Sequence, residues 1–358
     1  MSDETTARTA TDDDAALAAI RAGDETAFGA LAERYRRQLH VHCYRMLGSF
    51  DDAEDLVQET LLRAWRARAS FEGRSTFRTW LYRIATNACI NAIERGPRRI
   101  LRPEVPPTDP SKVLQADARP DLGAAAAELP WIQPYPDDLL DLAASNDAEP
   151  DAVVVSRETI ELAYLVAIQY LPPKQRAILI LRDVLDWSAK ETASLLELSV
   201  ASVNSGLQRA RATLRSQKPS QGPRAASVTA LTAEERTLLD RFVDAHNRAD
   251  AAALSAILRE DARQSMPPHL LWYDGRDAMV TLFDNYIHPS SPHYPGQLRF
   301  VPTAANRQPA AATYLRRTGD TAYRLLGLNV LEIEGGLVTG ITSFGTDLLG
   351  ALGIPQTL

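Results

Sequence analysis

Two proline-rich breaks divide the sequence into three stretches of regular hydrophobic patterning. From Ala15 to Arg95 apolar residues recur three and four apart, as in Phe28, Leu31, Ala32, Tyr35 and Leu39, and again in Ala53, Leu56, Val57, Leu61, Ala64 and Trp65. That period belongs to amphipathic helices and predicts an all-helical domain over residues 15–97. Between 98 and 150 prolines accumulate and the period fades, yet Trp131, Ile132, Tyr135, Leu139 and Leu140 leave apolar anchors in a linker that partly docks. Helical spacing returns over 151–217, is interrupted at Leu171-Pro172-Pro173, and ends at Lys218-Pro219-Ser220-Gln221-Gly222-Pro223, a composition that marks a domain boundary. Beyond it, Thr232 and Glu235 form a capping box at a helix start. The last sixty or so residues alternate as strands between turns at Thr318-Gly319-Asp320 and Glu334-Gly335-Gly336. The expected architecture is multidomain, with two all-α domains followed by an α+β domain over 228–358.

Composition narrows this picture. With 45% hydrophobic residues in a chain of 358, each part can bury a core of its own. No apolar run reaches the roughly 18 residues that span a bilayer. The N-terminus is acidic and Thr-rich without an apolar core segment, so a cytoplasmic protein with no membrane partner is expected. Two cysteines, Cys43 and Cys89, are too few for a disulfide framework or a four-ligand zinc site. His40 and His42 stand two apart on a helix and point about 200° from each other, so they do not grip one ion. Neither a metal nor a cofactor is expected.

Net charge is −7, so contact with nucleic acid must come from local basic surface. Charge is segregated to suit this. Asp51, Asp52, Glu54, Asp55 and Glu59 form an acidic cluster. The following stretch carries Arg66, Arg68, Arg74, Arg78, Arg83, Arg95, Arg98, Arg99 and Arg102 against Glu72 and Glu94. Two faces of opposite sign imply two different partners.

Ser188 and Glu191 form a second capping box, which starts a helix carrying Ala193, Leu195 and Leu196. Ser199 is placed to cap the next helix, whose apolar positions are Val200, Val203, Leu207, Ala210 and Leu214. Its other face presents Ser202, Asn204, Ser205, Gln208, Arg209 and Arg211. Short polar groups toward the N-terminus and arginines toward the C-terminus suit a recognition helix, which reads base edges with the first and holds phosphates with the second. A plain helical hairpin would share this pattern.

Three motifs carry a family resemblance. Asp51-Asp52-Ala53-Glu54-Asp55-Leu56-Val57-Gln58-Glu59-Thr60-Leu61-Leu62-Arg63-Ala64-Trp65 resembles region two of extracytoplasmic-function sigma factors, which that family uses to grip the polymerase clamp. Phe77-Arg78-Thr79-Trp80-Leu81-Tyr82-Arg83-Ile84-Ala85-Thr86-Asn87 is similar to the segment that opens and reads the minus-ten element. Residues 171–211, opening on Leu171-Pro172-Pro173-Lys174-Gln175-Arg176, resemble region four with its minus-thirty-five helix-turn-helix. The C-terminal part, around Trp272-Tyr273-Asp274-Gly275-Arg276, is similar to SnoaL-like, nuclear-transport-factor-like domains, which are cone-shaped. The resemblance implies a factor that binds core RNA polymerase and promoter DNA, with an appended domain that takes a small-molecule ligand or a protein regulator.

Residue by residue, the polymerase stripe comprises Asp55, Gln58, Glu59 and Leu62, spaced i, i+3, i+4 and i+7 on one helix face. Minus-ten contacts fall to Phe71, Arg74, Thr76, Arg78, Trp80, Arg83 and Asn87. They combine the aromatic, cationic and amide groups that hold a single strand and the edge of a flipped base. Minus-thirty-five contacts fall to Lys190, Ser202, Asn204, Ser205, Gln208, Arg209 and Arg211. Asn204-Ser205-Gly206 stands where many relatives carry a basic residue in the recognition helix, and Gly206 lowers helix propensity by about 1 kcal/mol relative to Ala. In the C-terminal domain His246, Asp261, Trp272, Tyr273, Tyr286 and His288 are candidates for a pocket. Were they to converge, a small-molecule isomerase or cyclase fused to a DNA-binding module would be the rival reading. An ordinary helix-turn-helix regulator is a third.

Overall fold

The computed structural model describes residues 16–71, 73, 75–96, 106–111, 131–144, 159–217, 231–267, 269 and 271–358. The chain forms two compact bodies, one drawn from 1–98, 138–160 and 164–227, the other from 99–137, 161–163 and 228–358.

In the first body, α1 (Glu25–Leu47), α2 (Phe50–Ala67) and α3 (Phe77–Arg95) pack as a bundle. The α1–α2 corner needs only two residues: Gly48 closes α1 in the left-handed conformation, and the Ser49 side chain accepts from the Asp52 amide to open α2. Phe28, Phe77, Phe71 and Trp80 mesh as a ring cluster with centroids 5.0–6.2 Å apart, within the range of favourable aromatic pairs.

After α4 (Asp137–Ala144) come α5 (Leu162–Gln169), α6 (Pro173–Leu179), a π-helical turn (Ile180–Val184), α7 (Ala189–Leu196) and α8 (Val200–Gln217). Pro173 occupies the first position of α6, where its missing N–H costs nothing. Arg176, 2% exposed, donates to the carbonyls of Met46, Gln169 and Leu171 and to Gln169 Oε1, so oxygens of three segments meet the two terminal nitrogens of the buried guanidinium. Its bond to Met46 ties α6 to the end of α1, and the Tyr82 and Trp187 rings, 5.5 Å apart, join α3 to the start of the helix-turn-helix.

The second body is α+β. After α9 (Ala233–Asn247) and α10 (Ala251–Ile257) come β1 (Leu258–Ser265), β2 (Trp272–Asp274), α11 (Arg276–Ile287), β3 (Gln297–Ala305), β4 (Gln308–Arg316), β5 (Arg324–Glu334) and β6 (Leu337–Gly345). The six-stranded sheet runs β2-β1-β6-β5-β4-β3, antiparallel except for the β1–β6 pair. One face buries Phe300, Ala311, Leu331, Ile333, Val338 and Ile341 against Leu238, Phe242, Met279 and Phe283 of the helices. Side chains also engage both edges, which otherwise invite pairing with other chains. Asn247 exchanges bonds with the Phe300 amide and carbonyl (2.8 and 3.0 Å), and Thr108 pairs with Trp272 through its amide (2.7 Å) and hydroxyl (3.4 Å).

Residues 131–137 lie on this same body, against the β3–β4 hairpin. Asn306 and Arg307 both have positive φ, the geometry of a type I′ turn. Hairpin turns usually face water, yet here Asn306, Arg307 and Gln308 are buried. Tyr135 exchanges two bonds with Asn306 (2.7 and 2.9 Å), the Asp137 carboxylate accepts from the Arg307 amide (2.7 Å), and the Leu162 amide donates to Gln308 Oε1 (2.8 Å).

Candidate polymerase, DNA and C-terminal sites

On α2 the buried stripe is Ala53, Val57, Thr60, Leu61 and Ala64. Opposite it stand Asp55 and Gln58, exposed, Glu59, half-buried, and Leu62, 55% exposed. A leucine left this far in water beside carboxylates makes a surface with both charge and apolar grip. Glu59 pairs with Arg63 (2.6 Å) and Gln58 donates to Glu54 (3.3 Å); both pairs are local to the helix and at the surface, where such contacts add little to stability.

The minus-ten candidates divide. Thr76 caps α3 by accepting from the Thr79 amide, and its hydroxyl meets that of Thr79. Arg83 and Asn87 point to solvent. Phe71 and Trp80 are buried against each other and Phe77, so their rings already have partners. Arg78 lays its guanidinium over the Tyr82 ring at 5.5 Å. Arg74 lies outside the described residues. Sequence reasoning passed over Arg68, stacked on Trp65 at 4.0 Å, and Thr79 at the same end of α3.

In the helix-turn-helix, Ser188 and Glu191 make both bonds of the capping box (2.8 and 3.1 Å). Hydrogen bonding from Ser188, first from its side chain and then from its amide, holds the Glu191 carboxyl below its ordinary range. Helix α7 closes on Glu197 in the left-handed conformation, and Ser199 accepts from the Ser202 amide to open α8. Val203, Leu207 and Ala210 are buried, whereas Val200, expected in that stripe, is exposed in the first turn. Lys190, Ser202, Asn204, Gln208 and Arg209 are exposed and Ser205 is half-buried. Arg211 is also exposed, but clamps Asp183 with two bonds of 2.7 and 2.8 Å. Gly206 packs close to α6: a Cβ there would stand 2.7 Å from Ile178 Cδ1, so the end of that buried side chain would have to shift to admit one.

His40 lies on the Phe50 ring (4.5 Å) and His42 Nε2 meets the Thr86 hydroxyl (2.9 Å), so the two imidazoles serve different neighbours. Burial, with Arg45 adding to it, pushes His42 down to about 3.

In the C-terminal domain the pocket candidates are not all brought together. Ala262 faces the helices, so Asp261 projects to the opposite face, where it pairs with Arg259. Trp272 and Tyr273 are consecutive on β2 and must diverge: Tyr273 turns inward and is 1% exposed, while Trp272 stacks under Arg263 (5.7 Å). His288 is exposed and meets Asp284 (3.1 Å). His246 is enclosed by the rings of Phe242, Phe283 and Phe300 at 4.1–4.6 Å, and its Nδ1 donates to the Phe242 carbonyl (2.8 Å). Burial takes it down to about 4, with the carbonyl bond opposing that shift in part. Tyr286 lies near Tyr273, and burial together with that neighbouring phenol pushes Tyr273 up to about 12.

A three-helix bundle with an acidic stripe, joined to a helix-turn-helix and followed by an α+β domain, defines a multidomain transcription factor. Its segments match Sigma-70 region 2 (residues 31–99), Sigma-70 region 4 (161–214) and the SnoaL-like domain (239–341). It is 42% identical over 342 residues to the ECF RNA polymerase sigma factor SigG of Mycobacterium tuberculosis, covering 94% of this chain and 86% of that one. With SigW of Bacillus subtilis it shares 31% identity over 200 residues, 55% of this chain and 92% of the relative. The crystal structure of the Mycobacterium tuberculosis extracytoplasmic function sigma factor SigJ superposes with a TM-score of 0.57 at 18% identity, covering 91% of this chain and 99% of that one, a likeness of fold. The chain belongs to the ECF RNA polymerase sigma factors. It binds core RNA polymerase and directs it to promoter DNA, with its SnoaL-like domain fitted to modulate that activity. Among the described residues no helix is long and apolar enough to cross a membrane.

Proposed function

We propose that this sigma factor is switched through the segment between its two DNA-binding regions, which the appended domain holds. The observation that carries this reading is the buried hairpin turn Asn306-Arg307-Gln308, closed over by residues 131–137 through two bonds of Tyr135 and one of Asp137. Thr108, earlier in the same segment, is held at β2. Buried polar groups that lose their partners cost about 1–3 kcal/mol each, so release of the segment is a discrete event. The appended domain acts here as a regulator and not as a catalyst: Asp261 and His288 are committed to surface pairs, and His246 is neutral among three rings. Its place of work is the cytoplasm, with polymerase and DNA.

In this reading the α2 stripe of Asp55, Gln58, Glu59 and Leu62 docks on core polymerase. The open end of α3, with Thr76, Arg83 and Asn87, receives the minus-ten strand. Residues 202–209 of α8 read the upstream element, and Arg211 exchanges Asp183 for phosphate. Charge reversal at Asp55 and Glu59 is expected to abolish co-purification with core polymerase while the helical circular dichroism stays unchanged; retention of binding would remove the stripe from the interface.

The coupling is tested with full-length protein, a chain ending at Gln217, and Asn306→Ala. Truncation is expected to leave core binding intact and change promoter-specific transcription several-fold. Asn306→Ala should move transcription in the same direction and raise protease sensitivity near Trp131. If both variants match wild type in transcription and cleavage, the segment does not carry the switch.

A further inference from the structure

The helix-turn-helix leaves an aliphatic side chain at the tip of its second helix. Val200 is the first residue of α8 and is 44% exposed, one of four large hydrophobic side chains left in solvent among the described residues. The stripe that packs α8 begins only at Val203 and continues through Leu207 and Ala210, all buried. At about 100° per residue Val200 falls on another ridge, in line with Asn204 at i+4 and Gln208 at i+8. All three are exposed. Among the described residues neither amide side chain makes a hydrogen bond. The polar residues beside them are engaged: Ser202 meets the Ser199 hydroxyl (2.8 Å), Ser205 donates to the Ser202 carbonyl (3.2 Å) and Arg209 donates to Ser205 Oγ (3.4 Å).

The place of Val200 is fixed by the turn around it. The Ser199 side chain accepts from the Ser202 amide (3.1 Å) and the Ser199 carbonyl from the Val203 amide (3.0 Å). A β-branched side chain in a helix keeps essentially one rotamer, so the two methyls are presented without further ordering. Helix stability alone would favour another residue here. Valine is a weaker helix former than alanine, and acidic side chains suit a first turn. Helices α2, α7 and α9 carry such carboxylates, whereas the first turn of α8 has none. A carboxylate there would repel phosphates, which an aliphatic group does not.

The chemistry of the major groove says what an aliphatic group can meet. Each base edge offers nitrogen and oxygen atoms, and the 5-methyl of thymine is the apolar group among them. A recognition helix leads with its N-terminal residues. Valine set against a polar edge would strip water from it and return no hydrogen bond, whereas against a methyl both surfaces are apolar. Amide side chains such as Asn204 and Gln208 complement adenine. Along the helix axis Val200 and Asn204 stand about 6 Å apart, close to two base steps of roughly 3.4 Å.

We propose that Val200 is a specificity-determining residue of the upstream promoter contact, packing on the 5-methyl of a thymine within about two base pairs of the pair met by Asn204. The inference rests on the reading of residues 202–209 as the base-reading part of α8, and the two are tested by different substitutions.

The test uses the full-length protein assembled with core polymerase. Duplexes are recovered by this holoenzyme from a pool randomised across the upstream element, and each thymine of a recovered duplex is then replaced singly by deoxyuridine, which lacks the 5-methyl. One replacement is expected to weaken binding about fourfold, the worth of one methyl removed from water. In Val200→Ala, an exposed change to a better helix former, the same replacement should have no effect, preference at that pair should relax, and the salt slope should stay unchanged. Asn204→Ala should relax a different pair within two steps; unchanged selection by that variant would sink the base-reading role of 202–209 and leave the thymine contact to be judged by the deoxyuridine cycle. The Val200 proposal is overturned if no thymine responds to loss of its methyl, if the response persists in Val200→Ala, or if that variant weakens every duplex alike.

Discussion

His246 is a neutral imidazole held by its surroundings rather than by a counter-charge. The unfolded chain takes up a proton near the ordinary value of 6.5, whereas the folded domain resists until about 4. Between those values the unfolded state binds more protons, so stability falls as pH drops through the window and is unaffected by this group above it. The slope reaches at most about 1.4 kcal/mol per pH unit for one histidine. His42 acts with the same sign, down to about 3. Urea midpoints measured at pH 7.5, 5.5 and 4.5 should therefore decline with acid, and His246→Phe, which keeps the ring stack, should flatten the decline in the C-terminal domain. An unaltered slope would mean His246 is already protonated in the native state. At this scale the sequence reveals residue types but not the face they occupy, because a shift of one residue in a strand reverses inside and outside. Trp272 and Tyr273 illustrate it: both fit a pocket by chemistry, and the pleat admits only one.

Helices were more legible than strand faces, since their signals are local. Both capping boxes, at Ser188 and Thr232, are read from four consecutive residues and are present. The π-helical turn at Ile180–Val184 has no comparable signal, and the burial of Trp80 depends on the turn at Phe71 folding back over it. Gly206 shows how an element can be misjudged in isolation. Replacing it with Ala gains about 1 kcal/mol of helix propensity. Overpacking a close contact costs about 1–3 kcal/mol, and the added Cβ would press on the buried Ile178. Gly206→Ala is expected to be destabilising by about 1 kcal/mol net, and Ile178→Val, which removes the offending Cδ1, to make the same change favourable. A double-mutant cycle by chemical denaturation checks this; additive effects would show that α8 does not need the close approach.

For the whole molecule, the sequence reads as four pieces in line, while the structure interleaves them into two bodies. The helical pieces were legible because their patterning is short-range. The docking of residues 131–137 was visible only as apolar side chains in search of cover, since its partner lies 171 residues further along the chain. That separation has a consequence for the order of events during synthesis. At roughly 5–20 residues per second, the ribosome needs about ten to thirty seconds to travel from Tyr135 to Asn306. Region two is already made when that interval begins and region four is made within it, both ahead of the hairpin that secures the segment between them. Each new molecule thus passes through a brief unrestrained youth, and a nascent chain that met polymerase in that time would engage it before its own regulator had been made.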